Sequence, residues 1–377
     1  MPPLKPRRPP GPRLPRPQRP RATPLRQRSS PARPPLTAPV APGNISATPA
    51  PHVAFPSDVI DNSVLEAARE RIPRNLADSP PAEPPEAIDV AAASVAHSTF
   101  VNIGFQMHAV EWGALNTSPL VLLHPLGGDA HNFDTLAASL QSRFHGFALD
   151  LRGHGETAWP PDRNYRLSAH VQDLDHFLQA RGLSRIALIT TGFGANIALA
   201  YAGARPDMVD HLVLSSPSPD PTTPGIARLH EQLQETPTHF DDLTAAAAWW
   251  RQRNPSLQDK PDSAAGSLVA SHLRTLDDGS VGWKFDPALR DLNPIDLHDV
   301  DLFAAAESIT SPTLIIRGTE SDTLPSEAIE RLLELCPSAE LLEVPGRDPG
   351  LLTDVGLLAA EATVAAVLCF LQRPIPR

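Results

Sequence analysis

Residues 186–196, Ile-Ala-Leu-Ile-Thr-Thr-Gly-Phe-Gly-Ala-Asn, constrain this chain more than any other stretch. The apolar run at their start reads as a strand buried on both faces, the type that parallel sheets contain. The alanine- and leucine-rich run that follows reads as a helix, so strand must pass into helix across Thr190, Thr191, Gly192, Phe193 and Gly194. Small residues and two glycines suit so sharp a corner.

The same rhythm runs through the rest of the globular part. Residues 98–112 alternate as two hairpin-paired strands turning near Gly104. Short apolar strands follow at 120–123, 146–151, 186–190 and 212–214, with helices at 133–142, 168–182 and 195–204. Strands alternating with helices at this spacing predict an α/β fold with a doubly wound, mostly parallel sheet. Between 217 and 300 the rhythm stops, and prolines punctuate helical segments such as 243–253, which reads as an inserted helical cap. It resumes with a strand at 313–316, a helix at 326–336, a strand at 340–344 and a closing helix over 351–371. The expected division is a core in two parts, 93–216 and 301–377, around a cap at 217–300.

Ahead of this core the composition changes. Residues 1–57 hold 18 of the 44 prolines and ten Lys or Arg, with no acidic residue before Asp58. Such a segment buries no core and is expected to be a disordered tail. It offers a Pro-x-x-P ligand at Pro12 to Pro15 for an SH3-like partner, or a basic arm for an anionic surface; the simpler expectation is a solvated tail without specific partner. It has neither the apolar stretch of a secretory signal nor the amphipathic helix of a transit peptide. Residues 58–92 read as an amphipathic helix at 61–76 and a proline-rich linker.

Without those ten basic residues, 22 Lys or Arg face 43 Asp or Glu, a net charge of −21. Phosphate binding needs basic surface, so the globular part is not expected to bind nucleic acid. No run of 18 apolar residues is present, which excludes a transmembrane helix by this criterion. Cys336 and Cys369 are too few for a disulfide framework and read as buried thiols in a reducing, cytoplasmic compartment.

Four stretches besides the corner at 190–194 carry a more specific resemblance. The corner at 190–194 occupies the place of a Gly-x-Ser-x-Gly nucleophile elbow. His124-Pro125-Leu126-Gly127-Gly128 follows the third strand, as a His-Gly-type oxyanion loop does. Asp150-Leu151-Arg152-Gly153-His154-Gly155-Glu156-Thr157 is similar to an Asp-x-Arg-Gly-x-Gly-x-Ser turn, and Arg317-Gly318-Thr319-Glu320-Ser321-Asp322 to an acid-bearing loop. Within the cap, 272–274 and 283–287 match a common cap pattern. Standing in the family's order along the chain, they make residues 98–372 resemble the α/β-hydrolase fold, in its esterase, lactonase and epoxide-hydrolase-like branch with a helical cap.

The resemblance implies a nucleophile, a histidine that takes and returns its proton, and a carboxylate that orients the histidine. Asp322 falls at the acid position. The nucleophile position is Gly192, and the best match for the histidine, in Pro345-Gly346-Arg347-Asp348-Pro349-Gly350, is Asp348. No shift of register restores a histidine, because all 14 lie at or before His298. Loss of serine or histidine alone lowers serine-protease turnover by roughly a million-fold. His124, Leu126, Gly127 and Phe193 remain as expected oxyanion or ligand-binding residues.

Three readings stay open. The first is a non-hydrolytic pseudoenzyme, without metal or other cofactor, that binds a small apolar or ester-like molecule under the cap. The second is an enzyme of different chemistry, such as a lyase, a cyclase or a residual hydrolase, with Asp322 or Asp348 as general acid or base; two close carboxylates share a proton more readily than two distant ones. The third is a scaffold in which selection on catalysis has stopped.

Overall fold

The structure, a computed structural model, describes residues 96–253, 266, 269–345 and 361–375. The expected tail, helix 61–76, the linker, Asp348 and the start of the closing helix lie outside the described residues.

The chain begins with β1 (His97–Asn102), β2 (Gln106–Trp112), β3 (Pro119–Leu123), β4 (His145–Leu149), β5 (Ile186–Thr191) and β6 (Val209–Ser215). The inserted segment contributes β7 (His239–Phe240), β8 (Leu273–Thr275) and β9 (Val281–Trp283), and the core closes with β10 (Thr313–Gly318) and β11 (Ala339–Val344). Eight of these form one sheet in the order β1-β2-β4-β3-β5-β6-β10-β11. The β1–β2 and β2–β4 pairs are antiparallel, and from β4 to β11 every pair is parallel. The hairpin at Gly104 and the parallel βα units therefore stand as the sequence predicts.

The continuous apolar runs have a direct cause. Leu120, Leu122, Ala187 and Ile189 face a core beneath α1 (Asp134–Leu140), while Val121, Leu123, Ile186 and Leu188 face the opposite core beneath α2 (Leu167–Arg181) and α3 (Phe193–Ala204). With helices on both faces no position in a central strand meets water, so alternation disappears. The inserted segment supplies α4 (Pro224–Glu235), α5 (Leu243–Arg253) and α6 (Pro294–Leu297), and α7 (Leu302–Ala306) leads back to the core. α8 (Ser326–Leu335) then precedes β11, and α9 (Glu361–Leu371) packs Val364, Val367 and Phe370 on the same side as α1. Among the described residues no helix is long and apolar enough to cross a membrane.

The inserted segment differs from the helical cap expected, because β7, β9 and β8 form a small antiparallel sheet within it. Strands of two or three residues are too short to show a period of two in sequence. They are held by aromatic packing instead: the Trp283 ring lies 5.6 Å from Phe240, 5.8 Å from Trp249 and 6.1 Å from Phe285. The sequence pattern at 272–274 and 283–287 overlaps β8 and the end of β9, with Leu273 opposite Trp283, and runs on past β9 to Pro287. Polar bonds fasten it to the core: Asp129 accepts from His272 at 2.8 Å, Asp286 from the Tyr165 hydroxyl at 2.6 Å, and Lys284 pairs with Glu156 at 2.9 Å.

Candidate functional site

The C-terminal edge of β5 is where the site is built. Gly192 links β5 to α3 with φ +55° and ψ −120°, a conformation that L residues with a side chain adopt only under strain. Its N–H donates to Ser215 O at 2.9 Å, which fixes the corner against β6. Gly194 two residues on is forced for another reason, since a Cβ there would lie 2.3 Å from Leu123 O. A Cβ on Gly192 would meet the Pro125 Cβ at 3.0 Å. The corner thus has an elbow's shape, a glycine at its centre, and a proline ring crowding the place where a side chain would start. Of the neighbouring threonines, Thr190 donates its hydroxyl to Val213 O at 2.9 Å, and Thr191 is the last residue of the strand entering the turn.

The loop after β3 is held by buried imidazoles. Leu151 N–H can only donate, so His124 Nε2, 3.0 Å away, accepts, and the ring proton sits on Nδ1 facing Pro125 O at 2.7 Å. Burial lowers the His124 pKa, and Asp150 only partly offsets that. By the same logic His154 Nε2 accepts from Gly127 N–H at 3.0 Å and Nδ1 donates to Arg152 O at 3.0 Å. Burial, with a second imidazole, His124, close by, pushes its pKa down to about 3. Asp150 gathers the two loops by accepting from Ala130 N–H at 2.7 Å, Glu156 N–H at 2.8 Å and His108 Nδ1 at 2.7 Å. Burial raises its carboxyl and the His108 bond and charge lower it, with a net downward shift. At Asp129 burial again raises, but His272 opposite pulls the carboxyl well below the usual range.

These bonds decide what each expected oxyanion residue contributes. His124 is fully buried with both ring nitrogens committed, and the Gly127 N–H is already given to His154. Leu126 and Phe193 do reach the cavity described next, and the Phe193 N–H, first of α3, has no acceptor within its helix.

That cavity, about 90 Å³, lies between the elbow and the inserted segment. Leu126 and Phe193 line its floor; Ile226, Leu229 and Leu233 of α4 and Leu292 and Leu297 close it from above. Its polar contributors are Thr191, Ser216, Ser218, Thr323, His230 and His298, and none of its described lining residues is Asp, Glu, Lys or Arg. His298 donates Nδ1–H to Pro294 O at 2.7 Å and accepts at Nε2 from Asn196 Nδ2 at 3.0 Å; burial lowers its pKa. Asn196 also binds Ser218, through its N–H at 2.8 Å and its Oγ at 2.9 Å. His230 Nε2 is buried and has no hydrogen-bond partner among the described residues. Ser216 holds a left-handed φ of +49°, a strain that tends to gather at functional sites.

Asp322 does not line the cavity; its neighbour Thr323 does. Arg228 of α4 grips the Asp322 carboxylate with both arms, Nε to Oδ2 at 2.9 Å and Nη2 to Oδ1 at 2.6 Å. Sequence reasoning missed Arg228, His230 and His298, which sit in the inserted segment without any local pattern. It also gave Pro125 no role, although a proline beside His124 in a His-Gly-type loop is the one visible sign of a crowded corner.

Comparison with known proteins agrees with this architecture. A 2-(acetamidomethylene)succinate hydrolase from Mesorhizobium japonicum is 25% identical over 257 residues, 68% of this chain and 89% of its own length. An sn-1-specific diacylglycerol lipase from Danio rerio is 26% identical over 270 residues, covering 69% and 80%. The crystal structure of an E-2-(acetamidomethylene)succinate hydrolase superposes with a TM-score of 0.63 at 24% identity, over 74% of this chain and 100% of that one. An esterase from Mycobacterium tuberculosis superposes with a TM-score of 0.54 at 19% identity, over 82% and 95%. These relatives are hydrolases, and the fold supports a hydrolase-like function. The family described as alpha/beta hydrolase fold matches residues 118–353, and this chain belongs to it.

Proposed function

We propose that the protein binds a small, uncharged, apolar or ester-like molecule in the cavity above Gly192 and does not hydrolyse it. The observation that carries this is the corner itself: an elbow in its strained conformation, with glycine at the nucleophile position and Pro125 against it, opening on an apolar cavity. An apolar body fits walls of leucine and phenylalanine, and a carbonyl or hydroxyl on it would meet Ser216, His230 or the Phe193 N–H. A carboxylate would be desolvated there with no cation among the described lining residues, which disfavours acidic ligands. The bidentate hold of Arg228 on Asp322 speaks against Asp322 as a general base, because both carboxylate oxygens already accept hydrogen bonds.

Purified protein titrated with ethyl butyrate and γ-butyrolactone, followed by ligand-observed NMR, tests the reading. Saturable binding with no ester loss over hours is expected. Turnover of either compound that disappears in Asp322→Ala overturns it in favour of an enzyme.

A further inference from the structure

The contact between Arg228 and Asp322 joins the two walls of the cavity. On α4 the cavity-lining residues Ile226, Leu229, His230 and Leu233 follow the i, i+3, i+4, i+7 spacing of a single helix face. Gly225 and Arg228, three residues apart, form the adjoining stripe, and that stripe meets the loop after β10. Gly225 N–H donates to Asp322 O at 3.1 Å. A Cβ at Gly225 would lie 2.3 Å from the Asp322 carbonyl carbon and 2.4 Å from Thr323 N, so the approach tolerates no side chain. One turn further along, the guanidinium fork matches the carboxylate geometry with two parallel bonds. The side chains of the pair are 30% and 35% exposed, so water reaches it and the fastening is one that can open.

The other end of α4 is held differently. Arg290 donates to Leu233 O at 3.2 Å and to Gln234 O, which engages carbonyls of the last turn. The helix is therefore pinned at its C-terminus by hydrogen bonds to backbone and at its N-terminus by an ion pair to the acid loop.

We propose that the Arg228–Asp322 pair is a latch that holds α4 closed over the cavity and sets the rate at which ligand enters and leaves. The ligand half of this rests on the reading of the cavity as a binding site; the mechanical half does not. Asp322 becomes a positioning residue, acting through α4 and never on a bound molecule.

Hydrogen exchange by mass spectrometry on the full chain separates the two halves. In Arg228→Ala and in Asp322→Asn, peptides covering 224–235 are expected to exchange about tenfold faster than in the wild type, the scale of losing a charge-assisted bond pair, while β3 and β5 stay protected. The swap Arg228→Asp with Asp322→Arg is expected to recover part of the protection. Unchanged exchange over α4 in both single variants overturns the latch. Should a variant unfold globally, Arg228→Lys keeps the charge without the fork and is expected to fall between; wild-type exchange there overturns the bidentate hold. With ethyl butyrate present, the unlatched variants are expected to show faster ligand exchange by NMR with a dissociation constant within about threefold of the wild type. Faster α4 exchange without any ethyl butyrate binding by the wild type keeps the latch and rejects the binding reading; binding with unchanged α4 exchange does the reverse.

Discussion

The loops after β3 and β4 and the rim of the cavity are only a few residues apart, yet they treat polar groups in opposite ways. In the loops, His124, His154, Asp129, Asp150 and Arg152 are buried, and each bonds to backbone or to an opposite charge. At the rim, His230 Nε2 is buried without a partner among the described residues, and the corner of the elbow has no side chain at all. Buried polar groups without partners are the ones a ligand can satisfy. The comparison teaches that the shape of the two loops and the polar groups open to the cavity are held by different residues, so one can be kept while the other varies.

The largest effect should come from the loop side. Asp150→Ala leaves His108, the buried Ala130 N–H and the part-buried Glu156 N–H without their acceptor, and breaking such a largely buried arrangement costs about 3–5 kcal/mol. Thr191→Val at the rim should cost less than about 1 kcal/mol, in the range of substitutions that break no such network. Urea unfolding of both variants measures the contrast. Equal losses would mean that the rim is as tightly built as the loops.

Acid should attack the same loops. His154 has a folded pKa of about 3, and His124 and His170 are also lowered by burial, while in the unfolded chain a histidine titrates near 6.5. Above that value neither state binds the proton and their full contribution is present. As pH falls below it, the unfolded state takes up protons that the folded state refuses, so stability drops by up to about 1.4 kcal/mol per pH unit for each such histidine. For His154 the window runs from 6.5 down to about 3. His131 acts on the other side: its pKa is raised to about 9, because Asp134 outweighs its burial, so its contribution fades only as pH rises past neutrality. Urea midpoints should therefore fall monotonically between pH 6.5 and 4.5, below the range in which His131 gains its contribution, and the fall should be shallower in His154→Gln. A flat profile would show that these rings accept protons without unfolding.

These contrasts also explain what the sequence could and could not reveal. The sheet and the elbow are written in consecutive residues, as runs such as 120–123 and 186–191 followed by glycine, and so are legible locally. The loop bonds are half legible: Asp150 and His154 stand in a recognisable turn, but that His154 fixes Gly127 needs the two loops side by side. Arg228, His230 and His298 were illegible, because they reach the site from an insertion whose path no local period encodes. The small sheet of that insertion was hidden for the same reason, its strands being held by Trp283, Phe240 and Phe285 more than by alternation.

The finest test concerns Gly192. Gly192→Ser must carry a side chain at φ +55°, which costs about 1–2 kcal/mol, and its Cβ must also fit 3.0 Å from the Pro125 ring. Pro125→Gly removes the ring but leaves the backbone strain. In a double-mutant cycle read by urea unfolding, the strain appears in both backgrounds and cancels, so the coupling reports crowding alone. The serine substitution is expected to be less destabilising by about 0.5 kcal/mol or more beside a glycine at 125, at the low end of couplings between residues in contact. A coupling of zero would mean that Pro125 yields freely and that the corner is closed to a side chain only by its backbone; the vacancy at 192 would then be a matter of one residue, with the loop opposite already shaped to receive a nucleophile.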